Sequence, residues 1–149
     1  MIKKTITYTD YNGNQKTKDL YFNLTKTELY KMNFSEKGGF ENYVKKLWNE
    51  EDGKEIIHVF DEILRMSYGE KSADGEYFVK YAPDGHRLGD DFAQTPAYDI
   101  LFLELATDQV KGAEFINGVV PKEISDKTEK IVNDSTKVVS MNNVPIDNN

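Results

Sequence analysis

No cysteine occurs among the 149 residues, which removes disulfides, thiolate metal sites and a cysteine nucleophile together. Arginine is nearly as scarce. Arg65 and Arg87 are two of nineteen basic residues, so bidentate clamping of phosphate is poorly served. Twenty-six acidic residues outweigh the basic ones and leave a formal net charge of −7. Such a surface repels phosphate backbones and anionic lipid, so neither nucleic acid nor membrane is expected as a partner. No run approaches the roughly 18 apolar residues of a membrane span. The opening MIKKTITYTD alternates and carries no signal-type apolar stretch, and the chain is expected to work in a cytoplasm.

Aromatic residues are missing from one end only. Tyr 9, Phe 8 and Trp 1 all lie before Lys122, and the stretch after Pro121 has none. A body at 1–121 and a disordered tail at 122–149 are therefore expected, the tail being too poor in large apolar groups to offset its ordering entropy. About 120 residues suffice for one hydrophobic core.

Residues 3–9 and 17–23 alternate or run in strand-favouring residues, and Asn12-Gly13 between them is a hairpin signal. Ile6 and Tyr8 fall on one face, as do Leu20 and Phe22. A lone hairpin is marginal in water, so it must pack on helices or on another chain. Thr25 and Glu28 fit a capping box that opens a short helix to about Met32. Phe40, Tyr43, Val44, Leu47 and Trp48 have helical spacing over about 40–50. A third helix is expected at about 54–68, with Ile56, Phe60, Ile63, Leu64 and Ser67 along one stripe and Gly69 as its stop. Two Asp-Gly pairs, at 74–75 and 84–85, bracket Tyr77-Phe78-Val79, a short strand or an ordered loop. Thr95 and Pro96 start a helix over about 96–107, and another covers about 109–117 and ends at Gly118. The fold class is α+β: an N-terminal β-hairpin packed on a small, mainly helical domain.

Three clusters bear on chemistry. His58 with Asp61 and Glu62 sets two carboxylates beside an imidazole on one helix, suited to a metal or acid–base site, or to a solvated face opposite the apolar stripe. Asp84, His86, Arg87, Asp90 and Asp91 share one loop. A metal-dependent hydrolase could use that set, and a polar loop capping a helix near Phe92 needs the same residues. The Asp10–Asn14 segment looks like the start of a calcium loop but has Gln15 at its sixth position and Tyr21 at its twelfth, which excludes that reading. No phosphate-cradling loop, nucleophile elbow or HExxH occurs. The helix at 96–107 is different in kind. Ile100, Leu101, Phe102, Leu103 and Leu105 crowd several faces, with Phe115 and Ile116 close behind, so the segment is either deeply buried or shared with a partner.

Six blocks, in order, carry a resemblance to a known family: TITYTDYNG at 5–13, YFNLTKTEL at 21–29, GGFENYVKKL at 38–47, MSYGEKSADGEYFVK at 66–80, FAQTPAYDILFLELATD at 92–108 and AEFINGVVP at 113–121. Together they resemble the tail assembly chaperones of long-tailed bacteriophages. The resemblance implies an assembly factor and not an enzyme, with no catalytic, cofactor or metal residues. Its expected partners are the tape measure protein, which it would keep soluble, and the tail tube protein, whose polymerisation it would aid; self-association is also compatible. It would act in the host cytoplasm and be absent from the virion. A longer frameshifted form is common in such proteins, and the tail after Pro121 lies where an extension would join. Within this frame Phe102, Phe115 and Ile116 are the expected partner contacts. A tail-completion protein that stays in the particle, and a metal-dependent hydrolase built on the His86 loop, are the alternatives.

Overall fold

The computed structural model describes residues 1–33 and 53–122. The helix expected at about 40–50 and all of the tail after Lys122 lie outside the described residues. Strands β1 (Ile2–Thr9) and β2 (Gln15–Phe22) pair antiparallel in continuous register from Ile2↔Phe22 to Thr9↔Gln15. Their connection is stabilised locally. The Asp10 carboxylate accepts from the Asn12 and Asn14 N–H groups at 2.9 Å each, Lys16 closes on it at 2.8 Å, and Gly13 takes φ +84°. That left-handed conformation is the one for which Asn-Gly turns select glycine. Ile6, Leu20 and Phe22 point inward and are buried.

The hairpin is not alone on the helices. Helix α1 (Lys26–Asn33) and helix α2 (Gly53–Ser67) lead into β3 (Tyr68–Lys71), which pairs with β2, and β4 (Phe78–Val79) pairs with β3, giving a sheet ordered β1-β2-β3-β4. Gly69 is thus no helix stop but a buried strand residue opposite Tyr21. A Cβ there would meet the Phe78 ring at 2.5 Å, so the glycine serves ring packing instead of a turn.

Helices α3 (Leu88–Phe92), α4 (Pro96–Thr107) and α5 (Gln109–Val119) complete the described body. The capping residues act as their chemistry predicts. Thr25 Oγ1 accepts from the Glu28 N–H at 3.1 Å while Glu28 Oε2 accepts from the Thr25 N–H at 2.7 Å. Thr95 accepts from the Tyr98 N–H at 3.2 Å, and Asp108 accepts from Val110 and Lys111 at 3.1 Å each. Gly118 does not end α5, which runs one residue further. Its bare Cα faces β1, where a Cβ would lie 2.8 Å from Ile2 Cδ1. Both corrected glycines permit close tertiary approach, which local sequence does not reveal.

The core sits between the sheet and α2, α4 and α5. Phe22 is its centre, edge-on to Phe115 at 5.2 Å, Phe92 at 5.6 Å and Tyr68 at 5.8 Å, and Tyr68 stacks on Phe92 at 4.5 Å. In α2 the buried stripe is Val59, Phe60, Ile63, Leu64 and Ser67, with Ile56 only half-buried. No helix among the described residues is long and apolar enough to cross a membrane.

Candidate partner-binding surface

The polar clusters singled out in the sequence resolve into fold-holding networks. Asp61 accepts from Arg65 Nε at 2.9 Å and from the Tyr98 hydroxyl, while Arg65 Nη1 reaches Asp90 at 3.3 Å, so one carboxylate and one guanidinium tie α2 to α3 and α4. Burial opposes ionisation of Asp61, but these hydrogen bonds outweigh it and hold its carboxyl below the usual range. Burial first, and then the bond to Asp61, push the Tyr98 phenol well up. His58 and Glu62 are exposed on α2.

His86 stands exposed between two carboxylates, with Nδ1 at Asp84 and Nε2 2.7 Å from Asp91. Its hydrogen bonds to Asp91 and then Asp84 raise its pKa above the ordinary 6.5. A raised folded value means that the pairing stabilises the loop fully below the unfolded pKa and that this contribution fades as pH climbs through the folded one. An NMR titration should therefore find His86 half-protonated above pH 6.5, and Asp91→Asn should move it down. A normal value in the wild-type chain would contradict the pairing. No group of three or more His, Asp or Glu side chains placed to hold a metal ion occurs among the described residues.

One interaction was not legible beforehand. Lys80 is buried, and its Nζ donates to the Asn23 carbonyl at 2.6 Å and to both Glu28 oxygens at 2.6 and 2.7 Å. Burial pushes the ammonium pKa down and the Glu28 carboxylate opposes it. The same Glu28 closes the α1 capping box, so one side chain orders both the helix start and the strand end. Nothing in the local sequence marks this lysine, because its partners lie more than fifty residues away.

Helix α4 shows how an all-apolar helix is divided. Ala97, Leu101 and Leu105 face the core and are buried. Ile100 and Leu103 face outward, 43% and 52% exposed, on the side that also carries Asp99 and Thr107. Phe102 lies at the border, half-buried and stacked on Tyr98 at 5.7 Å. Val110, in the first turn of α5, is also exposed. Phe115 and Ile116 are 0% and 1% exposed. Both are core residues, and their place as partner contacts is corrected: α5 turns them onto Phe22 and the sheet, where they hold the domain together. Of the three residues expected at an interface only Phe102 reaches solvent. Ile100 and Leu103, its outward neighbours, were hidden in the sequence by apolar residues on every side of the helix.

A family model described as phage tail assembly chaperone matches residues 1–147. No curated protein and no solved structure matches the chain.

Proposed function

We propose that this chain, which belongs to the phage tail assembly chaperones, binds the tape measure protein in the host cytoplasm. There it keeps that client soluble and helps tail tube subunits polymerise around it. The observation that carries the reading, beside family membership, is the outward side of α4. Two large aliphatic side chains, Ile100 and Leu103, stand open to solvent with Phe102 at their border. An amphipathic client helix can lay its apolar stripe across such a surface, and acidic Asp99 on the same side favours a client helix with a basic flank. A patch of a few side chains gives moderate affinity, which suits a partner that must later be released.

A chaperone acts before the particle is finished, whereas a tail-completion protein remains in it. Mass spectrometry of purified virions should find tail tube and tape measure peptides and none from this chain. Stoichiometric recovery of this chain would replace the chaperone role with a structural one.

A further inference from the structure

Strand β1 forms one edge of the sheet among the described residues: β2 runs along its full length on one side and no described strand lies on the other. The direction of its backbone groups follows from the register. The Asp10 N–H donates to the Asn14 carbonyl at 2.8 Å, so alternation leaves Lys3, Thr5, Thr7 and Thr9 in the pairs that exchange no backbone bonds with β2. Close side-chain contacts across two of those pairs, Thr5–Asp19 at 2.6 Å and Thr7–Thr17 at 2.8 Å, agree with that alternation. The N–H and C=O groups of these four residues therefore point to the open side.

This edge is complementary to itself. We propose that β1 joins antiparallel to β1 of a second copy, with Lys3 opposite Thr9 and Thr5 opposite Thr7, making one sheet across two chains. In that register every outward backbone group finds a partner. Ile6 meets Ile6 of the second copy, and Lys4 meets Tyr8. No like charges fall opposite each other, and the threonine pairs suit a solvated sheet face. Lysines commonly guard edges against such pairing, but here both sit in the first half of the strand and meet neutral residues. Slipping the register by two residues sets Lys4 against Ile6 or leaves Lys3 and Lys4 without a strand opposite. Because the residue pairing keeps each side chain on its own face, the two-fold axis stands perpendicular to the sheet. Helix α4, which packs across β1, then lies on the same side in both copies.

Light scattering with size exclusion on the full chain should give twice the 17.1 kDa chain mass at high protein concentration, and the chain mass on dilution. Thr5→Pro removes an N–H that β2 does not use, so it should yield a monomer with an unchanged far-UV spectrum. Hydrogen exchange on the wild-type chain supplies the check that needs no variant: the Lys3, Thr5, Thr7 and Thr9 amides should be protected at high concentration and lose protection on dilution. A monomer at all concentrations overturns the proposal. So does a dimer in which these four amides exchange freely, or protection that appears only when a client protein is added.

Discussion

Replacing Phe115 with alanine is expected to destabilise the domain by about 3–5 kcal/mol, the usual cost of emptying a fully buried phenylalanine site. Its ring has no solvent exposure and meets Phe22 edge-on, and Phe22 in turn contacts Phe92 and Tyr68. The cavity would open where strand and helix layers meet, and the surrounding rings leave little room for collapse. Phe102→Ala removes a half-buried ring at the border of α4 and should cost much less, about 1 kcal/mol. Urea denaturation followed by far-UV circular dichroism separates the two. A Phe115→Ala midpoint close to wild type would mean that α5 does not pack as described.

Gly89→Ala should cost about 3 kcal/mol or more, at the upper end of what overpacking usually does. A Cβ at this position would lie 1.8 Å from the Arg65 carbonyl oxygen and 2.6 Å from its carbon. Both obstacles are backbone, so no rotamer change relieves the clash; α3 must move away from the last turn of α2. That movement would also stretch the Arg65–Asp90 contact. Gly75→Ala is the control, because its φ of +77° is costly for alanine while nothing lies near its Cβ, and about 1 kcal/mol is expected. Gly89 lies in a helix and has no left-handed conformation to lose, so a loss no larger than that of Gly75→Ala would contradict the close approach of α3 to Arg65.

The parts legible in the sequence are those decided within a few residues. Asn12-Gly13 and strand alternation placed the hairpin, Thr25 with Glu28 opened α1, and Thr95 with Pro96 opened α4 at the right residue. Each is a local hydrogen bond or dihedral preference. What stayed hidden depends on distant partners. Gly69 and Gly118 read as stops because glycine commonly ends helices, yet the first lies against Phe78 and the second against Ile2. Gly112 is a third such contact, with Phe60 Cζ and the Leu105 carbonyl each 2.8 Å from its absent Cβ. The division of α4 into core and outer sides was equally illegible, since period 3.6 cannot assign a face to a helix that is apolar all round. Phe115 and Ile116, on α5, were expected as partner contacts, and the fold turns them inward onto the core.

The most direct test of the account is co-expression of this chain with its phage's tape measure protein. Wild-type chain should raise the soluble fraction of the tape measure protein and co-purify with it. The double variant Ile100→Glu, Leu103→Glu should keep its fold, since both side chains already face solvent, and should lose both effects. A tape measure protein that stays insoluble beside the wild-type chain, or one rescued equally by the variant, would contradict the proposal that the outer side of α4 holds the client.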